Sequence, residues 1–255
     1  MPTNAELIQQ GLIHHRQGEA ALAMDRYTEV LRNDPENADA LYYIAAIACQ
    51  DGQYKQGIEL ARRSLSFRGG QARAHNLIGQ ALHRQGKVED ALKAFDDALV
   101  CDINFADAYG NRANMLSELG RHAEALSSFN RALAINPQSA GDWLNRGATL
   151  HAMGRPEEAI ESYDKALALD TDFAVAHFNR AGVLREQGRL DEALAGYDRA
   201  LALAPRVPQA HRGRAATLDA LGRADEARAA NEQAAALEKE LADRAKAAAE
   251  ADKPA

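Results

Sequence analysis

Residues 140–173 read AGDWLNRGATLHAMGRPEEAIESYDKALALDTDF, and the spacing inside this stretch returns along the whole chain. Gly154 is one of seven glycines at an unbroken interval of 34: Gly18, Gly52, Gly86, Gly120, Gly154, Gly188 and Gly222. Five residues after each comes a small residue: Ala23, Gly57, Ala91, Ala125, Ala159, Ala193 and Ala227. Nine after it stand Tyr27, Ala61, Phe95, Phe129, Tyr163, Tyr197 and Asn231, and twelve after it Val30, Ser64, Ala98, Ala132, Ala166, Ala200 and Ala234. Each spacing has a physical reason. A glycine tolerates the left-handed geometry that ends a helix. A small residue lets the two helices of a hairpin cross closely. The aromatic one turn further on shares that face and fills the space between neighbouring units. Fixed-period self-similarity of this length is the mark of a stacked repeat array.

The pattern Trp143-Leu144-Asn145-Arg146-Gly147, then Gly154, Ala159, Tyr163 and Ala166, resembles the tetratricopeptide repeat. The resemblance covers residues 4–241, in repeats 4–37, 38–71, 72–105, 106–139, 140–173, 174–207 and 208–241. It implies an all-α, right-handed superhelical solenoid of seven helix–turn–helix units forming a single domain. Pro35, Pro137 and Pro205 are expected to stop the second helix of their units. Repeat two departs from the pattern, with Gly57 in place of Ala and Gly69-Gly70 in place of the closing proline, and is expected to be the weakest or most bent joint. Ile103 and Thr171 replace that proline in repeats three and five.

Position 7 of each repeat is normally apolar in the family. It holds Ile44 and Ile78 in repeats two and three but Arg112, Arg146, Arg180 and Arg214 in repeats four to seven. Position 25 of the preceding repeat is then Asp96, Asn130, Asp164 or Asp198, whereas Thr28 and Arg62 precede the isoleucines. This covariation within one chain predicts a ladder of partly buried hydrogen-bonded pairs between the second helix of one repeat and the first helix of the next.

The stretch Ala224–Ala251 lacks glycine and proline and is rich in Ala, Glu, Arg and Lys, so it should form one long capping helix, with residues 242–255 its end and tail. Leu237, Leu241, Ala245 and Ala248 make an apolar stripe on it, which leaves a monomer or a weak homodimer through this helix as the expected states. Residues 252–255 are expected to be disordered.

The net charge of -7 argues against nucleic acid as a partner, which needs a basic surface. No apolar run approaches about 18 residues, so no membrane span is expected, and the start Met1-Pro2-Thr3-Asn4-Ala5-Glu6 has no signal-peptide pattern. Cys49 and Cys101 read as free thiols in a reducing, cytoplasmic compartment. The abundance of alanine and arginine suggests a bacterial source. No GxGxxG, phosphate-binding loop, HExxH, GxSxG or CxxC motif is present, so neither catalysis nor a cofactor is expected. His15, His83 and His151 share position 12 two repeats apart, too far for one metal ion, and read as polar groove residues. His75, His177 and His211 at position 4 read as partly buried packing residues.

Positions 2, 5, 6, 9, 12 and 13 would line the concave face if the stack resembles its family. Position 6 places Asn111, Asn145 and Asn179 there, with Asn114 and Asn76 nearby. An amide both donates and accepts, so it can hold a peptide backbone whatever its sequence. This row resembles the asparagine ladder in the repeats of O-GlcNAc transferase, and the alternative is hydrogen bonding within the stack. Tyr42 and Tyr43 at one end and Phe178 at the other are candidate anchors, with Leu144 among the apolar residues of the same face. Arg185 and Arg212 are candidates to meet an acidic group. The carboxylate clamp of chaperone cofactors is not matched, since Gly110 and Val175 stand where its basic residues belong. The reading is a scaffold that binds a protein or peptide segment. The alternative is the targeting arm of a methyltransferase or glycosyltransferase whose catalytic domain lies elsewhere.

Overall fold

The structure is a computed structural model and describes residues 2–251, with side chains up to 247. The disorder expected of residues 252–255 lies outside the described residues. Fourteen helices and no strand occur among the described residues: α1 Asn4–Arg16, α2 Ala20–Asn33, α3 Ala38–Gln50, α4 Tyr54–Phe67, α5 Ala72–Arg84, α6 Val88–Cys101, α7 Ala106–Glu118, α8 His122–Ile135, α9 Ala140–Ala152, α10 Pro156–Leu169, α11 Ala174–Glu186, α12 Leu190–Leu203, α13 Pro208–Ala220 and α14 Ala224–Ala251. Odd-numbered helices begin at the first residue of each repeat, and each packs as a hairpin on the even-numbered helix that follows. The chain divides into two compact units, Met1–Pro137 with four hairpins and Gln138–Ala255 with three. Within each unit, every even helix also packs on the first helix of the next hairpin, which is the arrangement of tetratricopeptide repeats.

Helix ends follow from local chemistry. Each of the seven periodic glycines has a positive φ, between 70° and 78°. The N–H that follows the glycine bonds back to the carbonyl five residues earlier, as from Arg155 to Leu150 at 3.0 Å and Lys87 to Leu82 at 3.0 Å. This closes the first helix of each hairpin and satisfies one of its orphan carbonyls. The first helix of all opens on a capping box, in which the Glu6 N–H donates to Thr3 Oγ1 and the Thr3 N–H donates to Glu6.

The expected prolines stand two residues beyond α2, α8 and α12, yet α4, α6 and α10 stop at the same repeat position without one. Aspartates explain two of these ends. The carboxylates of Asp102 and Asp170 accept from the N–H of Asn104 at 2.9 Å and of Asp172 at 3.0 Å, the turn that Asp34 also makes ahead of Pro35. Repeat two uses Gln71 instead, whose Nε2 donates to Ser64 Oγ at 3.1 Å and to the Arg68 carbonyl at 2.8 Å, while Arg68 pairs with Asp39.

The core is built from the periodic aromatics and alanines. Tyr27, Phe95, Phe129 and Tyr163 are at most 1% exposed. Gly147 sits under the Tyr163 ring, whose nearest atoms would lie 2.6–3.0 Å from a Cβ at that position, so only glycine fits. Gly57 is explained in the same way: an added Cβ would collide with the Cys49 Sγ. The thiol fills the space that a methyl group takes in the other hairpins.

Three rungs of the arginine ladder are formed within the units. Arg112, Arg180 and Arg214 each donate from Nε to Asp96, Asp164 and Asp198 at 2.6 Å. The arginine side chains are about a quarter exposed and the aspartates about half. Arg112 and Arg146 also donate to Ser128 and Ser162 of their own hairpins, both at 2.6 Å. A second pairing, missed in the sequence, opens α8, α10, α12 and α14: Arg121, Arg155, Arg189 and Arg223 grip Glu124, Glu158, Glu192 and Glu226 in bidentate pairs at 2.6–2.7 Å. Those guanidinium groups hold all four carboxyls below the usual carboxylate range.

The last helix spans 28 residues, as the sequence predicts. Ala227, Ala230 and Ala234 are buried, Leu237 is half-buried and Leu241 is 47% exposed. The apolar stripe is thus covered at its start and open from Leu241 to Ala245, while the Ala248 side chain lies outside the described residues.

Candidate functional site

Within each unit the odd helices line up against one another: α3, α5 and α7 in the first, α9, α11 and α13 in the second. Positions 5, 6, 9, 12 and 13 of these helices form one face. In the first unit, Asn111 Nδ2 donates to Asn76 Oδ1 at 3.0 Å, joining two of the candidate asparagines in a rung between repeats three and four. Asn76 is 8% exposed, so its amide is committed to the stack, while Asn111 and Asn114 are half-buried. Tyr43 stacks on the buried Tyr27 with centroids 5.1 Å apart, and Tyr42 meets Tyr43 edge-on at 5.2 Å. The pair therefore continues the core of repeat one outward, and burial raises the Tyr42 hydroxyl above its ordinary pKa.

In the second unit, Phe178 and Asn179 line one cleft of about 210 Å³ with Ala148, His151, Tyr163 and Gly182. The Phe178 ring is held edge-on against Tyr197, with centroids 5.8 Å apart. Gly182 lies in mid-helix and is not there for want of room, because the nearest atom to an added Cβ would be the Tyr197 hydroxyl at 3.7 Å. A glycine in a helix interior costs about 1 kcal/mol relative to alanine, and here it bares the backbone at the floor of the cleft. Leu144 and Asn145 are half-buried on the preceding helix.

Histidines at position 12 belong to this face in a way their spacing alone does not show. His15 contacts Gln50 at 3.1 Å, His83 contacts Glu118 at 2.9 Å and His151 contacts Glu186 at 2.7 Å, each partner standing at position 13 of the next repeat. The sequence reading missed these partners, whose signal is an offset of 35 residues rather than 34. No group of three potential metal ligands occurs among the described residues. The position 4 histidines work on the opposite edge, His177 and His211 bonding the Thr171 and Pro205 carbonyls at 3.0 and 2.9 Å to tie each helix to the loop before it.

The two candidate arginines differ. Arg185 is half-buried, and its Nε has no partner among the described residues. Arg212 is instead taken by Glu238 of α14 in a bidentate pair at 2.8 and 2.6 Å, so the capping helix supplies the acid that the sequence reading reserved for a partner.

Family models described as tetratricopeptide repeat match residues 106–139, 144–208 and 208–233. A model described as subunit 3 of the anaphase-promoting complex, or cyclosome, matches residues 13–98. Among curated proteins, the chain is 28% identical over 120 residues to a UDP-N-acetylglucosamine–peptide N-acetylglucosaminyltransferase, SPINDLY of Hordeum vulgare, itself described as probable. The match takes in 44% of this chain but spans only 13% of that relative's length. Among solved structures, a tetratricopeptide repeat protein from Parabacteroides merdae superposes with a TM-score of 0.65 at 16% identity, covering 92% of this chain and 93% of that one. YrrB, described as a TPR protein with an unusual peptide-binding site, superposes with a TM-score of 0.61 at 19% identity, covering 72% and 95%. At these identities the superpositions establish the fold alone. With the periodic glycines, the hairpin packing and the matched models, one of which covers the single repeat 106–139, the chain belongs to the tetratricopeptide repeat family.

Proposed function

We propose that this protein is an interaction scaffold that binds a protein or peptide segment along its odd-helix face. The observation that carries the reading is the cleft beside Gly182. A fixed aromatic, Phe178, and an amide able to donate and accept, Asn179, stand over bare helix backbone where a side chain would have fitted. That combination suits an extended segment whose backbone is met by the amide and whose side chain enters the cleft. Leu144, Asn145 and Arg185 are proposed as flanking contacts, and Asn111 and Asn114 as contacts on the odd-helix face of the first unit taken by itself. Asn76, Tyr42 and Tyr43 support the face through the stack, and Arg212 is available to a ligand only by exchange with Glu238. The reading includes a monomer or a weak homodimer through α14, and a cytoplasmic setting in keeping with two unpaired thiols, Cys49 and Cys101. Among the described residues no helix is long and apolar enough to cross a membrane.

The test is a displayed peptide library selected on the immobilised chain. Selected peptides should lose binding to the Phe178→Ala/Asn179→Ala variant while circular dichroism shows both proteins folded. Peptides that bind both equally would move the site elsewhere. A second reading, the targeting arm of a peptide glycosyltransferase, is favoured by the 120-residue resemblance to SPINDLY. It predicts that a transferase domain, either continuous with these repeats or captured by them, glycosylates the selected peptides.

A further inference from the structure

The cleft beside Gly182 carries polar groups that the packing of the stack does not use. Tyr163 lines it and is 1% exposed, and its hydroxyl has no hydrogen-bond partner among the described residues. Tyr197 is 3% exposed. Its hydroxyl, also without a partner there, lies 3.7 Å from the place a Gly182 Cβ would take, so the glycine leaves it uncovered. Neither hydroxyl is needed for its ring to pack, since Phe95 and Phe129 fill the same repeat position. Tyr27 has an unpaired hydroxyl as well, but that one is enclosed. A largely buried hydroxyl is costly to leave unpaired, so a cleft with two of them suits a guest that pairs both.

The charges beside the cleft narrow the guest. Arg185 and Glu186 stand one turn on from Gly182 along the same helix face. The Arg185 Nε is unpartnered, and Glu186 contacts His151 of the cleft wall at 2.7 Å. A cation entering the cleft would meet Arg185 and an anion would meet Glu186, so the pair favours a neutral group. Burial raises the Tyr163 hydroxyl above its ordinary pKa, and the Glu186 carboxylate adds to the rise. The same negative field draws the hydroxyl proton towards Glu186 and leaves an oxygen lone pair to the cleft.

Resting on the reading of this cleft as a peptide site, we infer that the side chain it receives ends in a primary amide, as glutamine and asparagine do. The amide N–H donates to the Tyr163 oxygen, the amide carbonyl accepts from the Tyr197 hydroxyl, and the aliphatic stem lies against Phe178. Asn179 is left to the peptide backbone.

The probes are the N-acetyl N-methylamides of glutamine, methionine and glutamate, titrated into the isotope-labelled full chain and followed at the Phe178 and Gly182 amide signals by NMR. Glutamine should shift both signals saturably. Methionine, similar in length but without the amide, and glutamate, which replaces it with a charge, should bind at least about 10-fold more weakly. Tyr163→Phe and Tyr197→Phe should each cut the preference for glutamine over methionine, because each removes one hydroxyl and keeps the ring. Tyr27→Phe, the same change at an enclosed hydroxyl, should leave the preference as in wild type. Methionine or glutamate binding as tightly as glutamine would overturn the inference, as would a preference that survives both Tyr163→Phe and Tyr197→Phe or is lost equally in Tyr27→Phe. No saturable shift from glutamine would overturn it too, while the peptide site itself stands or falls on the library selection against Phe178→Ala/Asn179→Ala.

Discussion

Single residues in this chain show which parts of the repeat pattern are packing rules. The Tyr27 hydroxyl is fully buried and has no hydrogen-bond partner among the described residues, while repeats three and four place Phe95 and Phe129 at the same position. Tyr27→Phe is therefore expected to stabilise the protein by about 1 kcal/mol, the penalty of an unpaired buried hydroxyl, read as a higher melting temperature. Burial also pushes the Tyr27 pKa up to about 12, with the hydroxyl of the neighbouring Tyr43 adding to it. The folded state thus holds this proton more tightly than the unfolded state, whose tyrosines titrate near 10. The resulting stabilisation is complete below about pH 10 and is lost as pH rises towards 12; Tyr27→Phe should flatten that alkaline fall. Gly57 and Cys49 make a second residue-scale case. Gly57→Ala should destabilise by about 1–3 kcal/mol through overpacking, and Cys49→Ala in the same chain should restore most of the loss, as a double-mutant cycle would show.

At the scale of helices, the rungs and the cap carry the predictions. The Arg180–Asp164 pair joins α11 to α10 with one partner about a quarter exposed and the other about half. A cycle on Arg180→Ala and Asp164→Ala should give a coupling of about 0.5–1 kcal/mol, since exposure screens the pair. Truncation after residue 242 should leave the melting temperature unchanged, because the residues of α14 beyond it are exposed up to 247. Truncation after residue 232 removes buried Ala234 and the Glu238 partner of Arg212, and should lower it. The odd-numbered helices were legible because their stop signal, a glycine at positive φ, is also a sequence signal. The arginine rungs were legible because both partners covary along one chain. The histidine rungs were not, because each partner lies 35 residues on, one position off the repeat. The aspartate turns of Asp34, Asp102 and Asp170 were not, because they recur every second repeat and so hide from a search at one period. Gly11, Gly79 and Gly147 share that alternation, each beneath the ring of its own hairpin.

At the scale of the molecule, each compact unit is a stack in which hairpins touch only their neighbours, so stability is close to a sum of local terms. The four bidentate glutamates are such terms. Their carboxyls lie below the usual range in the folded state, so their contribution is present above the unfolded value near 4.3 and is lost as pH falls through the lower folded values. Melting temperatures measured from pH 7 to 3 should fall in that window, and less steeply when all four are replaced by glutamine. The binding face was legible from the sequence as a set of positions but not as a site, because the sequence does not distinguish Asn76, spent on Asn111, from Asn179, which lines the Gly182 cleft. The most direct test of the account is Gly182→Ala, with thermal stability and affinity for a library-selected peptide measured on the same protein. The account predicts a stability gain of up to about 1 kcal/mol from helix propensity, together with weaker peptide binding because the cleft floor is filled. A more stable protein that binds the peptide as tightly as wild type would contradict it.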